Sequence, residues 1–242
     1  MRRTAGLVAL SAALSTTLPT MAEEAPMDYA AARSLMVQRQ MIGRDITDRR
    51  VLDVMGRVPR ERFVPDEVRM HAYADEPLPI GRGQTISQPY IVALMTQLAR
   101  ARPGARALDV GTGSGYQAAV LAGIVDHVYS IEIVCPLADE ARARLERLGT
   151  MNVTVRCGDG FRGWPEHAPF DVIIVAAAPH EIPPPLLEQL AVGGRLVIPV
   201  GTVRQRLLVV EKLLDGSLRR WPTLDVRFVP MTGEALDVPP AR

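Results

Sequence analysis

From residue 104 onward, short apolar runs of strand length alternate with segments whose apolar positions recur at helical spacing. The predicted strands lie at 107–110, 128–131, 153–156, 171–175 and 196–199. One predicted helix follows the first strand and ends at residue 122, and two others lie at 137–148 and 186–190. The run at 171–175 is apolar throughout, as expected where helices cover both faces of a parallel sheet. Runs at 207–212 and 225–229 are predicted to add an antiparallel hairpin at the sheet edge. The pattern therefore predicts an α/β fold with a doubly wound, mostly parallel sheet.

The chain before residue 104 carries amphipathic helices and a long loop instead. The predicted elements are a helix at 29–42 ended by Gly43, a helix from Thr47 or Asp48 through Met55, and a loop at 73–88 rich in proline and glycine. A loop of this length before a helix is more often functional than idle. By position alone, Ser87 is an N-cap for the helix at 91–98. We expect one domain at 27–242, divided into a helical and loop part at 27–103 and the sheet at 104–242.

Gly111, Gly113 and Gly115 stand at alternate positions directly after the first predicted strand. Without side chains they let a ligand approach the backbone and let the next helix begin close to the strand. The spacing G-x-G-x-G differs from the G-x-G-x-x-G of dinucleotide sites and is typical of S-adenosylmethionine sites. Asp109 ends the strand, and its carboxylate suits a cofactor that carries an ammonium and a sulfonium group. The alternative is a glycine-rich turn that binds another ligand or none.

The next strands end in acidic residues. Ligands of doubly wound sheets lie beyond the carboxyl ends of the strands, so acids at successive strand ends point to one site. Glu132 follows the glycines at roughly the separation of a ribose-binding carboxylate. Asp159, beside Gly160, is expected to accept a hydrogen bond from an adenine amino group. The fourth strand ends in small residues at 176–178, without the Asn or Asp of amino-group DNA methylases, so the methyl acceptor needs no general base.

Composition narrows the possible classes of protein. With 242 residues, 48% hydrophobic and 23% charged, the chain suits one globular domain. Its formal net charge of +1 gives no basic footprint for nucleic acid. The histidines lack ligand spacing, so no metal site is expected, and we expect a monomer. Cys135 and Cys157 lie in different predicted elements, and we expect reduced thiols rather than a disulfide.

Residues 1–26 resemble a secretory leader, because two arginines precede a mild apolar run at 5–18 that ends near Met21. The run is too short to span a membrane. A start of translation at Met21 or Met27 would make the leader a misassigned extension. Because S-adenosylmethionine is made in the cytosol, we expect cytoplasmic residence, with periplasmic export as the alternative.

Further motifs follow one another along the chain. They are Gly83-Gln84-Thr85-Ile86-Ser87-Gln88-Pro89-Tyr90, the glycine loop through residue 122, Gly158-Asp159-Gly160 with Gly163-Trp164-Pro165-Glu166, Pro169-Phe170-Asp171, and Ile198-Pro199-Val200-Gly201. Over about residues 36–230 this set closely resembles the protein-L-isoaspartate O-methyltransferase family, and Gly-Gln-Thr-Ile-Ser-Gln-Pro occurs in few other methyltransferases. The chain departs from the family at Ile133, often basic, at Asp109, often Glu, and at Ala176, often Thr, which removes a hydroxyl.

The resemblance implies a Rossmann-like fold of the S-adenosylmethionine-dependent methyltransferase type, with the substrate loop in the 27–103 part. It implies methyl transfer to the free α-carboxyl of L-isoaspartyl residues in damaged proteins and peptides, which begins repair through a succinimide. In this family Ser87 would be the catalytic hydroxyl that orients the carboxylate, a role we prefer to a cap. The implied cofactor residues are Asp109, Gly111, Gly113, Gly115, Glu132, Asp159 and Gly160, and the implied substrate residues are Thr85, Ile86, Ser87, Ala177 and Pro199.

The expected chemistry agrees with a site that has few side chains. An α-carboxyl with a pKa of about 3.5 is ionised at neutral pH, so it can attack a sulfonium methyl directly. Catalysis is then mainly positioning and desolvation. The alternatives are a small-molecule or RNA methyltransferase, or a cofactor-binding protein without repair activity. The low net charge argues against RNA, the Ser87 loop against a generic small-molecule enzyme, and the glycine spacing against a nicotinamide dehydrogenase.

Overall fold

The N-terminal part of the computed structural model, which describes residues 27–237, is built from short capped helices. Helix α1 (Tyr29–Met36) begins at Asp28, whose carboxylate accepts from two backbone amides of the first turn, and continues as a π-helix over Val37–Ile42 before Gly43. Helix α2 (Arg49–Met55) is capped by Asp48, which accepts from the Arg50 amide at 2.9 Å. Both predicted helices are confirmed, and the predicted leader at 1–26 lies outside the described residues.

The predicted loop before the third helix contains a small hairpin. Strands β1 (Leu78–Gly81) and β2 (Gln84–Ile86) pair antiparallel, and helix α3 (Pro89–Leu98) follows. The turn between the strands holds three successive residues at positive φ, of which Gly81 and Gly83 flank Arg82 at φ 53°. The prediction of an irregular loop at 73–88 is therefore wrong for these two strands, which are too short to give a clear period-two pattern.

Seven strands form the main sheet. In chain order the elements are β3 (Arg106–Val110), α4 (Tyr116–Ala122), β4 (His127–Glu132), α5 (Cys135–Arg147), β5 (Val153–Cys157), β6 (Phe170–Val175), α6 (Pro184–Glu188), β7 (Leu190–Val200), β8 (Gln205–Lys212) and β9 (Leu218–Val226). The strand order is β5-β4-β3-β6-β7-β8-β9, with parallel pairing up to β7 and antiparallel pairing of the last two strands. This confirms the doubly wound, mostly parallel sheet. The last strand lies earlier than the predicted 225–229, because the edge hairpin turns soon after Lys212.

Alternate residues of the central strands enter two separate hydrophobic cores. Val172 and Ile174 pack on the face that carries the N-terminal helices, whereas Ile173 and Val175 pack on the opposite face. All four side chains are at most 1% exposed. Burial on both faces explains the unbroken apolar run, and it fixes the register that brings the carboxyl ends of β3 to β6 to one edge.

The two cysteines are bonded to each other. Cys135 and Cys157 form a disulfide with their Cα atoms 4.9 Å apart. The expectation of two reduced thiols is wrong, because parallel pairing places Cys157 opposite Glu132, and α5 begins only three residues after Glu132. Within residues 27–237, no helix is long and apolar enough to cross a membrane.

Candidate active site

The glycine loop connects β3 to α4 in a conformation that side chains disfavour. Gly111, Gly113 and Gly115 have φ values of 93°, 52° and 89°. The amides of Gly111 and Thr112 donate to the carbonyl of Ile131 at 2.8 and 3.2 Å, which fastens the loop to the neighbouring strand. The three predicted glycines therefore form one rigid turn above the carboxyl end of the sheet.

Glu132 ends β4 and faces this turn. Its Oε2 accepts from the Gly113 amide at 2.7 Å, and its Oε1 accepts from the Val134 amide at 2.9 Å. The residue is 5% exposed and lines the cavity beside the glycine loop. Each carboxylate oxygen keeps a further acceptor site, so Glu132 can both hold the loop and accept from hydroxyl groups of a ligand.

Asp109 lies behind the loop rather than in the cavity. It is fully buried and accepts from the Ser130 hydroxyl at 2.7 Å, while that hydroxyl lies 2.6 Å from the Thr112 hydroxyl. Burial raises the pKa of Asp109 to about 7, the Ser130 hydrogen bond lowers it, and the charge of Glu132 raises it further. Val110 lines the cavity, and adjacent residues of a strand point to opposite faces. The structure therefore does not give Asp109 the expected direct contact with a cationic cofactor.

The turn after β5 separates the two residues predicted there. Gly160 lines the cavity, and a Cβ atom on it would lie 2.3 Å from Cγ1 of Val110. Asp159 does not line the cavity, because its carboxylate accepts from the amides of Phe161 at 2.9 Å and Glu234 at 2.8 Å. The carboxylate expected to bind an adenine amino group thus holds the backbone around the cavity instead.

The sequence did not reveal the C-terminal wall of the cavity, residues 229–232. This segment extends along the end of β6, where the Ala178 amide donates to the Val229 carbonyl at 2.8 Å and the Met231 amide donates to the Ala178 carbonyl at 2.9 Å. Met231 of this wall and Ile133 both line the cavity, and both side chains are apolar. The sequence of the segment contains no recognisable motif. The only related signal in the sequence is the run of small residues after β6, which includes its partner Ala178.

A second cavity of about 450 Å³ adjoins the first. Both cavities are lined by Thr85, Ala176 and Val229, so they meet at these three residues. Ser87 lies in the second cavity, which we call the acceptor cleft. The cap of α3 is Gln88, and among residues 27–237 the Ser87 hydroxyl has no hydrogen-bond partner. The structure therefore contradicts the simple interpretation of Ser87 as a cap and leaves its hydroxyl available in the cleft.

The other predicted substrate residues are divided between the two cavities and the interior of the protein. Thr85 lines the acceptor cleft, and Ala177 lines the cavity beside the glycine loop. Ile86 is 4% exposed in the core, and Pro199 is buried in β7 opposite Leu207. Neither of these two residues lines a cavity, so the structure does not bring them to the acceptor cleft.

Charged residues from two parts of the chain line the acceptor cleft, namely Arg44 from the N-terminal part and Asp225 and Arg227 from the segment after β8. The guanidinium carbon of Arg44 lies 3.3 Å from the ring centroid of Tyr90 and its Nη1 pairs with Asp75 at 2.9 Å. The Tyr90 hydroxyl donates to Asp45 at 2.8 Å, and burial raises its pKa. Arg44 is held in place and lines the cleft, so it contributes positive charge where an anionic group would bind.

The fold and the site together define an S-adenosylmethionine-dependent methyltransferase. The family model for protein-L-isoaspartate(D-aspartate) O-methyltransferase matches residues 31–236. The chain belongs to that family. Protein-L-isoaspartate O-methyltransferase 2 of Polaromonas sp. is 57% identical over 198 residues, covering 81% of this chain and 94% of that protein.

Solved structures agree with this assignment. A protein-L-isoaspartate O-methyltransferase is 30% identical with a TM-score of 0.77, covering 85% of this chain and 67% of that one. A beta-aspartate methyltransferase of Plasmodium falciparum, solved in complex with S-adenosyl-L-homocysteine, is 27% identical with a TM-score of 0.72. That comparison covers 83% of this chain and 98% of the other.

Proposed function

We propose that this protein transfers a methyl group from S-adenosylmethionine to the free α-carboxyl of L-isoaspartyl residues in damaged proteins. The observation that carries the proposal is the meeting of two cavities at Thr85, Ala176 and Val229, with the Ser87 hydroxyl in the acceptor cleft and without a hydrogen-bond partner in the part of the chain that the structure describes. One cavity has the glycine loop of a cofactor site, and the other has a hydroxyl and an arginine suited to a carboxylate. Family membership supports the same substrate class.

The residues of the first cavity fit S-adenosylmethionine. Gly111 and Gly113 open the backbone to the ligand, the Glu132 carboxylate can accept from ribose hydroxyls, and apolar Ile133 and Met231 suit an adenine ring. When bound, the cofactor supplies an electrophilic methyl group on a sulfonium. We assign Gly115 to the same turn, Gly160 to the wall, and Asp109 and Asp159 to the support of the backbone around it.

The acceptor side then needs orientation more than proton transfer. The substrate α-carboxyl, with a pKa of about 3.5, is already an anion at neutral pH. Ser87 would donate its hydroxyl proton in a hydrogen bond to one carboxylate oxygen, leaving the other oxygen to attack. Arg44 would lower the energy of the approaching anion, and the small Ala176 leaves room at the junction of the cavities. The cofactor would supply the methyl group, and because the acceptor carboxylate is already ionised, no residue of this chain is needed as a general base.

The direct test uses the purified protein, labelled S-adenosylmethionine and paired peptides that differ only in an Asp or isoAsp residue. We expect base-labile methyl ester on the isoAsp peptide alone. Equal labelling of both peptides, or labelling of neither while the cofactor still binds, would contradict the proposed acceptor. Small molecules and RNA would then be tested as the alternative acceptors.

We further propose a monomer that acts on isoaspartyl proteins without binding nucleic acid. The net charge of +1 supports the last point. For the compartment we propose the cytoplasm, on the argument of cofactor supply, while the disulfide supports the exported alternative. Cell fractionation with determination of the mature N-terminus distinguishes them, because an exported form would begin near Glu23.

A further inference from the structure

The disulfide joins the ends of two elements at the surface. Cys135 is the first residue of α5 and Cys157 is the last residue of β5, separated by 22 positions in the chain. Both residues are exposed, so a reductant can reach the sulfur atoms. The chemistry of the site proposed above does not use this bond.

Each bridged cysteine adjoins a backbone group that holds Glu132. Val134, directly before Cys135, donates its amide to Oε1 of Glu132 at 2.9 Å. Gly158, directly after Cys157, donates its amide to the Glu132 carbonyl at 2.9 Å. The disulfide therefore links the two backbone segments whose amides bind Glu132, the carboxylate that lines the cofactor cavity.

The bridge also lies next to the turn after β5, which lines another part of the same cavity. Asp159 is two residues beyond Cys157, and its carboxylate holds the amides of Phe161 and Glu234. Those amides flank Gly160 and the C-terminal segment that ends at Thr232, and both parts line the cavity. A shift of Cys157 would thus move the turn after β5 relative to Glu132.

The start of α5 is held by Pro136 in its first turn and by the packing of Leu137 and Ala138, but not by a side-chain cap. Its N-cap is Val134, which offers no side-chain hydrogen bond to the free amides of the first turn. No acidic residue stands in that first turn to balance the helix dipole. The disulfide to β5 is therefore a covalent restraint on a helix N-terminus that lacks a side-chain cap.

We propose that Cys135–Cys157 is a thiol–disulfide exchange site for a dithiol reductant, and that its redox state sets the affinity of the cofactor cavity. A thiolate of the dithiol attacks one sulfur, and the other leaves as a thiolate. The second thiol of the reductant then attacks the mixed disulfide, so two electrons and two protons pass to the protein. The products are two protein thiols and an oxidised dithiol. Neither sulfur lines the cavity, so both cysteines are positioning residues.

The inference rests on the cofactor site of the proposed function but not on the methyl acceptor, so its test measures cofactor binding directly. S-adenosyl-L-homocysteine is titrated calorimetrically into the oxidised full-length protein and into the same protein reduced with dithiothreitol. We expect reduction to raise the dissociation constant by roughly threefold or more, because the reduced site must be ordered on binding. Reoxidation should restore the tighter binding.

A double variant provides the matched control. C135S/C157S should bind S-adenosyl-L-homocysteine as weakly as the reduced protein and should not respond to dithiothreitol. If it does not fold, the reversible change in the natural chain still tests the proposal. Equal dissociation constants for the oxidised and reduced forms would overturn it, as would two free thiols in the air-oxidised, denatured protein. A protein that binds the cofactor in a redox-dependent way but methylates no isoAsp peptide would refute only the proposed acceptor.

Discussion

The cofactor cavity and the acceptor cleft are adjacent, yet they are built in different ways. Residues at or just beyond the ends of β3, β4 and β5 line one side of the cofactor cavity, and the glycines among them bring the backbone to its surface. The acceptor cleft is assembled from side chains of remote segments, including Arg44, Ser87 and the residues at 224–229. We infer that cofactor binding is most sensitive to an added methyl group in the first cavity, whereas methyl transfer is most sensitive to the loss of a polar atom from the second.

The residues that surround the two sites also differ in polarity. The sheet beneath the cofactor cavity has apolar cores on both faces, whereas the N-terminal part that carries the cleft buries a network of charges. Glu61 accepts from Tyr73 and pairs with Arg33, and Arg60 is fully buried with its Nε donating to the Ala72 carbonyl at 2.7 Å. Arg60 also lies over the ring of Tyr116, at 4.9 Å, which joins the network to α4.

The largest expected effect is that of a methyl group added to the cofactor cavity. In G160A the new Cβ would lie 2.3 Å from the branched side chain of Val110, which cannot rotate away freely. Overpacking of this kind costs about 1 to 3 kcal/mol. Relief of the clash must displace Gly160 or Val110, both of which line the cavity, so we expect cofactor affinity to fall by up to roughly a hundredfold. Isothermal titration with S-adenosyl-L-homocysteine measures the change.

The chain offers a close control for that substitution. A Cβ on Gly158, two residues earlier, would make only ordinary contacts at 3.7 and 3.8 Å, so G158A should bind nearly as the natural protein does. Adding V110A to G160A should restore part of the affinity. Similar losses in G158A and G160A would show that the turn tolerates no substitution at all and that the Val110 contact is not the cause.

A hydroxyl removed from the acceptor cleft should have a smaller and different effect. In S87A the substrate carboxylate loses one hydrogen bond, and bonds to charged groups contribute about 1.5 to 3 kcal/mol. We expect kcat/KM for an isoAsp peptide to fall about tenfold or more, with cofactor affinity unchanged, since Ser87 does not line the cofactor cavity. Methyl transfer rates and titration of S-adenosyl-L-homocysteine measure the two quantities. S217A, at an exposed turn, is the control, and an undiminished rate in S87A would remove this hydroxyl from the mechanism.

The same contrast explains how far the sequence predicts the molecule. The glycine loop and Glu132 were predictable because neighbouring strand ends are fixed by the apolar runs and by local turn geometry. The wall at 229–232 was not, because its position depends on pairing with Ala178 some fifty residues away, which no local pattern records. The disulfide was missed for a related reason, since parallel pairing of β4 and β5 brings its cysteines together.

Side-chain direction accounts for the remaining differences between the predicted site residues and those that line the cavities. Ile86 and Pro199 belong to family motifs, but one packs into the core and the other lies within a central strand. A motif identifies a segment as important without saying which of its residues face the ligand. In the same way Asp109 precedes the glycine loop, yet the alternation of a strand turns it away from the cavity that Val110 lines.

The smallest effect on cofactor binding is expected from D109N, whose main effect should be on the pH dependence of stability. Burial raises the pKa of Asp109 to about 7 in the folded protein, well above the value of 3.8 for the exposed group. The folded state therefore binds more protons than the unfolded state between these values, and stability must fall as pH rises from about 4 to about 7. Between pH 6 and pH 8 this one group should lower the free energy of unfolding by about 1 kcal/mol. In D109N that decrease should be absent, while the Ser130 hydroxyl can still donate to the amide oxygen.

Urea unfolding at pH 6 and pH 8 measures the difference, with D53N, at an exposed position, as the control. The decrease seen in the natural chain should persist in D53N and vanish in D109N. An unchanged decrease in D109N would mean that Asp109 does not change its protonation state over this range and that another group causes the decrease. Because Asp109 supports the loop from behind, we also expect D109N to change cofactor affinity less than G160A does. For cofactor binding, the shape of the cavity's backbone would then matter more than the buried carboxyl behind it.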